Sequence, residues 1–293
     1  MEETKIYKEK TKTYNKINKN KVTKGFVYIL LVIGAICMLL PFLWMISTSL
    51  KDPLKVYEIP IKWIPENLNF DNYKRLFTEY KFHKYIFNTL FLAAINIIGN
   101  LFSCSLVAYG FACGKFKYKK QMFILILATM MLPGEVVFFP QFLLFNFIGW
   151  YGSLKPLWVP SFFGNAFYIF LLRQYFLTIP SELIDSARID GCSEFKIFYK
   201  IILPLSKPAV ITVVLYTFMG IWNDFFAPLI YIVNENQRTV GVALNYLKNT
   251  YEGTSSIPIT MAASIILIIP CLLLYYFGQK YFVKGITFKG VDK

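Results

Sequence analysis

Histidine is almost absent from the sequence, and its scarcity excludes two kinds of site. His83 is the only histidine, so a zinc site built on several histidines and a histidine-dependent catalytic triad are both excluded. The sequence also lacks a G-x-x-x-x-G-K-[ST] motif, which predicts that the chain does not hydrolyse ATP itself. It offers no metal-ligand cluster or activated nucleophile either, so we do not expect an enzyme.

Charged residues are also few. They make up 16% of the chain, whereas 56% of the residues are hydrophobic and 18% aromatic, and the mean hydropathy is +0.48. A soluble domain of this length does not need so much apolar material for its core. The composition therefore predicts an integral membrane protein.

Long apolar stretches define the predicted architecture. A membrane-spanning helix needs about 20 mainly apolar residues, and the sequence contains six stretches of that kind. We therefore predict an all-α, polytopic fold with six transmembrane helices in a domain 25–279, which includes a loop 176–207, between a tail 1–24 and a tail 280–293. The predicted spans are 25–48, 86–112, 121–144, 157–176, 208–233 and 258–279.

The basic residues predict the orientation of these spans. The net charge is +14, and the basic excess lies in the tail 1–24, after the second span at Lys115–Lys120, and in the tail 280–293. By the positive-inside rule these segments are cytoplasmic. We therefore expect both termini and the loop 176–207 on the cytoplasmic side of the cell membrane. The first outward loop fits this rule less well, because it carries seven basic and five acidic residues. The predicted outward loops are 49–85, 145–156 and 234–257. The cysteines lie in predicted spans or on the cytoplasmic side, so we do not expect them to form disulfides. They are Cys37, Cys104, Cys113, Cys192 and Cys271.

A charged segment within the loop 176–207 predicts a pair of short helices. Ser181 is placed to cap the start of the first helix, and Gly191 supplies the left-handed position that ends it. Ser193 is placed to cap the second helix, which we expect to stop at Pro204 before the next span. Two interpretations follow from the residues alone: a docking element for another protein, or an amphipathic helix pair on the membrane surface without a partner.

The same segment resembles the cytoplasmic EAA loop of binding-protein-dependent ABC importer permeases, whose pattern is E-A-A-x-x-D-G, a gap, and I-x-L-P. The matching residues are Glu182, Ala187, Asp190, Gly191, Ile201, Leu203 and Pro204, whereas Leu183, Ser186 and Cys192 stand where alanine is common in the family. The resemblance implies that the loop docks on an ATPase subunit and transmits its closure to the spans. The coupling residues that it implies are Glu182, Asp185, Ala187, Arg188, Asp190, Gly191, Leu203 and Pro204.

Further matches extend the resemblance over nearly the whole chain and narrow it to the MalG-type permeases of carbohydrate ABC importers. They are Asn88–Leu90, Leu106–Ala112, Met131–Val136, Phe170–Glu182, Trp222–Phe225 and Gln279–Gly285, in that order. The resemblance implies a cell-membrane subunit that forms half of a sugar pathway and needs no cofactor of its own. It also implies a second, MalF-like permease, two ATPase subunits that bind the ATP, and an extracytoplasmic substrate-binding protein. The end of the chain departs from the usual family ending, so no function is carried over to it.

Polar groups inside the predicted spans are candidates for the substrate pathway, because they are costly at membrane depth unless they face protein or a wet cavity. Glu135 follows Pro133 and Gly134, where we expect a broken helix, and Asp224 lies in the fifth span. Trp222 offers an aromatic face for a sugar ring, and neutral groups offer hydrogen bonds to hydroxyls. The candidates are Glu135, Asn165, Tyr168, Tyr216, Trp222, Asn223 and Asp224.

Each candidate has a structural alternative. Asn96 and Asn100 are better explained as residues that join packed helices by hydrogen bonds, and the same explanation is as good as sugar binding for Asn165 and Asn223. Glu135 and Asp224 have a second reading at the outer ends of their spans, in a gate or in the contact with the binding protein.

One other function class remains open at this stage. A secondary transporter driven by an ion gradient would use Glu135 and Asp224 as ion carriers, and it would be expected to contain inverted repeats, which the sequence does not display. The solute is also open among maltose-type and other oligosaccharides and glycerol 3-phosphate, and nothing in the chain calls for nucleic acid.

Overall fold

The computed structural model confirms an all-helical fold for the part of the chain that it describes. The backbone is described for residues 2–56, 58–250 and 256–286, and the side chains for 24–56, 58–248 and 257–279. No strand occurs in these ranges. The α-helices are α1 (Glu2–Ser49), α2 (Asp71–Thr78), α3 (Phe82–Cys113), α4 (Lys119–Thr129), α5 (Gly134–Phe147), α6 (Lys155–Trp158), α7 (Ala166–Phe176), α8 (Ser181–Ile189), α9 (Glu194–Ile197), α10 (Leu203–Leu205), α11 (Lys207–Asn223), α12 (Phe226–Tyr231), α13 (Val240–Thr250) and α14 (Ser256–Ile286).

Three of these helices are long and apolar enough to cross a membrane, and they match three predicted spans. The apolar stretches are Lys24–Ser49 in α1, Phe82–Cys113 in α3 and Ile257–Gln279 in α14. The helix α1 begins at Glu2, so residues 2–24 of the segment that the sequence marks as a tail share one helix with the first span. The tail predicted at 280–293 continues α14 to Ile286, and residues 287–293 lie outside the described residues.

Two further spans are bent. The helices α4 and α5 meet at 94°, with Pro133 at the start of α5, which confirms the break expected at Pro133 and Gly134. The segment Glu194–Leu205 meets α11 at 79°. Counting each bent pair as one span gives up to five spans in the described residues, so the count of six stays a prediction.

The predicted spans 157–176 and 208–233 are interrupted. The first contains a 3-10 turn, Val159–Phe163, between α6 and the short α7, and the chain passes from this turn into α7 through Gly164, with φ +92°, and the extended backbone of Asn165. The second is divided at Asp224, whose extended backbone separates α11 from α12.

Buried apolar side chains form two cores. The larger core joins the central helix α3 to α4, α7, α11 and the segment 184–202. The smaller core joins the start of α3 to α2, α13 and α14, while α1 packs along α14. The segment predicted to dock on an ATPase therefore belongs to the same packed unit as the central membrane helix.

Candidate functional site

The first helix of the loop, α8, ends as its sequence predicts but begins differently. Gly191 has φ +76°, the N–H of Gly191 donates to Arg188 O, and the N–H of Cys192 donates to Ala187 O, both at 3.0 Å. These paired bonds form a Schellman motif, which fixes the turn. The expected cap at Ser181 is wrong: Pro180 holds the cap position with extended backbone, and Ser181 is the first helical residue and makes no capping bond.

The second helix of the loop starts at its predicted cap but does not stop at Pro204. The Ser193 hydroxyl accepts the Lys196 N–H at 3.3 Å, as expected. The chain then stays helical through a π-turn, Phe198–Ile202, and through α10, and it bends only at Ser206. A π-turn shifts hydrogen bonds from the fourth to the fifth preceding residue, and this shift accommodates a proline that lacks an N–H.

One face of the loop is buried against the membrane helices. Ile184, Ala187 and Ile197 are at most 6% exposed and pack into the larger core, where Leu172 and Phe176 of α7 also lie. Burying an isoleucine side chain away from water stabilises a structure by about 1.5–3 kcal/mol. This packing holds α8 and α9 against α3 and α7.

The opposite face of the loop is exposed and combines apolar and acidic side chains. Ile189 is 87% exposed and Phe195 is 69% exposed, and the carboxylates of Glu182, Asp185 and Asp190 are exposed on the same loop. After the role that the sequence predicts for the loop, we call this surface the docking face; its residues are Glu182, Asp185, Ile189, Asp190 and Phe195. Glu182 lies in the first turn of α8, where the helix dipole favours a negative charge.

A network of charged groups crosses the loop. The Arg188 guanidinium contacts Glu194 through two nitrogens, at 2.7 Å and 3.3 Å, and Asp185 at 3.1 Å. The Tyr109 hydroxyl of α3 donates a 2.6 Å hydrogen bond to the same Glu194 carboxylate. The hydrogen bond with Glu194 raises the pKa of Arg188, so the arginine stays charged.

Sequence reasoning missed two members of this network. Tyr109 lies in the matched stretch Leu106–Ala112 but carried no expected role, and Glu194 was not singled out. The usable signal was the acidic residue directly after the cap Ser193, six positions beyond Arg188 across a glycine turn.

Of the other implied coupling residues, Leu203 is half-buried and Pro204 is exposed.

Three candidate pathway residues lie on adjoining parts of α7 and α11. Asn165 caps α7, and its side chain accepts the N–H groups of Phe167 at 3.0 Å and Tyr168 at 3.3 Å. Tyr168 is half-buried, and Phe167 meets Tyr216 of α11 edge-on at 5.8 Å between ring centroids. Glu135 is exposed in the first turn of α5, beside the bend.

The remaining candidates lie at the end of α11. Trp222 is only 4% exposed, stacks on Phe218 at 5.3 Å, and donates a 3.1 Å bond to Leu267 O of α14. The expected open ring face is therefore covered in this structure. Asn223 is exposed and donates to the carbonyl of Met219. Asp224 accepts the Ala227 N–H at 3.2 Å, which holds the start of α12.

Of the polar residues of α3, Asn96 and Asn88 join structural elements, whereas the hydrogen bond found for Asn100 lies within α3 and does not bear out the interhelical role expected for it. Asn96 donates to Leu157 O at 2.9 Å, which confirms its interpretation as an interhelical group. Asn100 is buried and accepts a weak bond from the Cys104 thiol of its own helix. The side chain of Asn88 contacts the carbonyl groups of residues 236 and 238 at 2.7 Å and 3.0 Å.

Comparison with known proteins shows which family this chain is similar to. Residues 106–288 match the family described as "Binding-protein-dependent transport system inner membrane component". The arabinooligosaccharides transport system permease protein AraQ of Bacillus subtilis is 33% identical over 256 residues, 86% of this chain and 90% of that protein. The polygalacturonan/rhamnogalacturonan transport system permease protein YtcP of the same species is 30% identical over 280 residues, 91% of this chain and 97% of that protein.

A solved structure agrees in shape over almost the whole chain. A chain of a bacterial ABC transporter involved in the import of the acidic polysaccharide alginate superimposes with a TM-score of 0.81 at 25% identity, covering 90% of this chain and 98% of that chain. The chain therefore belongs to the family of inner membrane components of binding-protein-dependent transport systems and is a permease subunit of an ABC importer.

Proposed function

We propose that this permease forms half of the pathway by which an ATP-driven importer carries a sugar across the cell membrane, with its termini and the loop 176–207 in the cytoplasm. The observation that carries the proposal is the two-sided loop. Its docking face exposes Ile189 and Phe195 among carboxylates, while Ile184 and Ile197 on the reverse face are buried in the larger core. A contact made on one side is thereby joined mechanically to the membrane helices on the other.

The docking face indicates the chemistry of its partner. An apolar side chain that is 87% exposed, as Ile189 is, gives a buried anchor when it enters a partner's pocket, and the carboxylates around it favour a basic rim. We assign this partner as an ATPase subunit, which would bind the ATP, and we expect no cofactor in this chain. A second ATPase subunit would dock on a MalF-like permease.

The transport cycle that we propose is alternating access. A binding protein delivers the solute at the outward face, the ATPase subunits close on ATP, and α8 and α9 carry that movement through the larger core to α3, α7 and α11. The solute would pass the polar side chains that the structure leaves at least partly exposed. These are Glu135, Asn165, Tyr168, Tyr216, Asn223 and Asp224. Trp222 supports the junction of α11 and α14 instead.

The relatives make a saccharide the first solute class to test. AraQ is named for arabinooligosaccharides and YtcP for polygalacturonan or rhamnogalacturonan. The similar solved structure is that of a transporter involved in the import of alginate. We therefore propose an oligosaccharide of pentose or uronic acid units. Hydroxyl and amide side chains such as those of Tyr168, Tyr216 and Asn223 have the hydrogen-bonding capacity for its hydroxyl groups.

The assembly is tested by purification. The chain is tagged, extracted from its native membrane in mild detergent, and the proteins that co-purify are identified and quantified by mass spectrometry. Recovery of a second permease and an ATPase in stoichiometric amounts supports the proposal. A stable chain recovered without either one overturns it and favours a carrier driven by an ion gradient.

The solute class is tested on the same material in proteoliposomes. Uptake of arabinotriose, a galacturonate trisaccharide and sn-glycerol 3-phosphate is measured with ATP and the co-purified binding protein. Uptake of either trisaccharide supports the saccharide assignment, and uptake of glycerol 3-phosphate alone contradicts it.

A further inference from the structure

Glu194 stands between the first coupling helix and a membrane helix that does not adjoin it in sequence. On one side, its two carboxylate oxygens face the Arg188 fork at 2.7 Å and 3.3 Å. On the other side, one of these oxygens accepts the Tyr109 hydroxyl at 2.6 Å. A single carboxylate thus connects α8, α9 and α3.

The arginine end of this connection has a defined direction. A guanidinium that meets a carboxylate through two nitrogens is fixed in plane as well as in distance. Asp185, one turn earlier in α8, contacts the same guanidinium at 3.1 Å and so fixes it to its own helix. The position of the Arg188 guanidinium at Glu194 therefore depends on the orientation of α8.

The tyrosine end is held by packing. The Tyr109 ring lies 5.3 Å from the Phe198 ring, and Phe198 is only 6% exposed. The hydroxyl of Tyr109 is thus presented to Glu194 from a ring that is itself seated between α3 and the π-turn. The half-buried charge of Arg188 and the exposed charge of Glu194 contribute little stability by their attraction alone, so the arrangement matters for its geometry.

We propose that Glu194 is a positioning residue, which joins Arg188 of α8 to Tyr109 of α3 so that the coupling helix and the central membrane helix move as one body. The proposal rests on the proposed function, because it concerns how the movement of a docked ATPase reaches the membrane. We call the three residues Arg188, Glu194 and Tyr109 the loop latch.

The test measures a distance across the permease. The helix α3 has 32 residues and is therefore about 48 Å long, which suits pulsed dipolar spectroscopy between two spin labels. The labels are attached through His83→Cys at the start of α3 and Ser186→Cys on α8, both at exposed positions, after the native cysteines are replaced by alanine. The complete assembly is measured without nucleotide and after trapping with ADP and vanadate.

Two variants break the latch at different points. Tyr109→Phe removes the hydroxyl and keeps the ring that packs on Phe198, whereas Arg188→Lys keeps the charge and removes the fork. The control is Tyr199→Phe, because Tyr199 is an exposed tyrosine of the adjoining π-turn. ATP hydrolysis by each assembly is recorded in parallel as evidence of folding and docking.

We expect the parent and Tyr199→Phe assemblies to keep one narrow distance in both nucleotide states. In Tyr109→Phe and Arg188→Lys the distribution should broaden about twofold or divide into two populations in the trapped state, as α8 moves without α3, while ATP hydrolysis persists in Tyr109→Phe, whose changed residue is not one of the implied coupling residues. Variants that hydrolyse ATP and retain the parent distance in both states overturn the latch. Failure of the parent chain to hold an ATPase instead overturns the proposed function, so the two failures are distinct.

Discussion

Gly99 of α3 lies directly against Ser161 of the 3-10 turn. A Cβ atom at Gly99 would overlap the Ser161 hydroxyl and would lie 2.8 Å from the Phe162 ring. The Ser103 hydroxyl, one turn further along α3, lies 2.9 Å from Ser161 O. The central helix therefore meets the interrupted fourth predicted span through a contact that only glycine permits.

Gly99→Ala should destabilise this contact. Overpacking a filled site costs about 1–3 kcal/mol, so we expect a lower thermal midpoint in detergent. Gly110→Ala is the matched control, because Gly110 lies on the same helix and an added Cβ meets no atom within 4 Å; alanine there gains helix propensity. Equal midpoints for the two variants would contradict the close approach.

Gly191→Trp should separate ATP hydrolysis from transport. A Cβ atom added at Gly191 meets no atom of this chain within 4 Å, so we expect the bulky side chain to project from the turn that adjoins the docking face and to obstruct the ATPase. We expect uptake of the transported trisaccharide per ATP to fall about tenfold or more, which equals about 1.4 kcal/mol. Gly149→Trp has a similar left-handed backbone, φ +72° against +76°, away from the loop, and should leave the ratio unchanged. Normal coupling in a well-expressed Gly191→Trp protein would count against docking at this turn.

Ile189→Ala should weaken the contact with the ATPase. Removing a large apolar side chain from a filled pocket costs about 2–5 kcal/mol, so the dissociation constant measured by biolayer interferometry should rise at least tenfold. Ile61→Ala provides the control, since Ile61 is also exposed, at 63%, but lies in the predicted outward loop. An unaltered constant for Ile189→Ala would exclude this side chain as an anchor.

Trp222→Phe distinguishes a structural role from a sugar-binding role. Phenylalanine keeps a ring to stack on Phe218 but loses the bond to Leu267 O, and one hydrogen bond contributes about 0.5–1.5 kcal/mol. We expect a lower thermal midpoint with an unchanged KM for uptake. A raised KM at an unchanged midpoint would restore Trp222 to the pathway.

The two acidic candidates separate ATP-driven from ion-driven transport. The double variant Glu135→Gln and Asp224→Asn removes both charges and keeps oxygen atoms that accept hydrogen bonds, including the bond from Ala227 N–H. In proteoliposomes with ATP and no ion gradient, we expect trisaccharide uptake to stay within about threefold of the parent, because neutral side chains still bond hydroxyl groups. Complete loss of uptake at normal ATPase recovery would assign an essential charge to this pair.

Local chemistry explains why part of the loop was predictable. Gly191 and Ser193 act through hydrogen bonds to residues within five positions, so their roles as helix stop and helix cap can be read from spacing. The break at Pro133 follows from the missing donor of proline in the same way. The prediction of a cap at Ser181 was wrong because Pro180 occupies the cap position that the neighbouring serine was expected to hold.

Long-range packing explains what the sequence did not reveal. Glu194 meets Tyr109 across 85 positions, and Trp222 meets Leu267 across 45, so neither pairing leaves a local pattern. The apolar character of 157–176 and 208–233 predicted two spans, but hydropathy does not record whether backbone hydrogen bonds run unbroken. Gly164 with φ +92° and the extended backbones of Asn165 and Asp224 interrupt them in the folded chain.

The π-turn Phe198–Ile202 makes the length of the loop as consequential as its composition. Each residue of an α-helix turns the chain by about 100°, and a π-turn is equivalent to one added residue. Deleting one residue from this turn would change the rotational phase between the cap at Ser193 and the bend at Ser206. The buried Ile197 would then point away from the larger core, or α11 would leave the bend in a different direction. The number of residues between Ser193 and Ser206 therefore determines how α9 and α11 are oriented relative to each other.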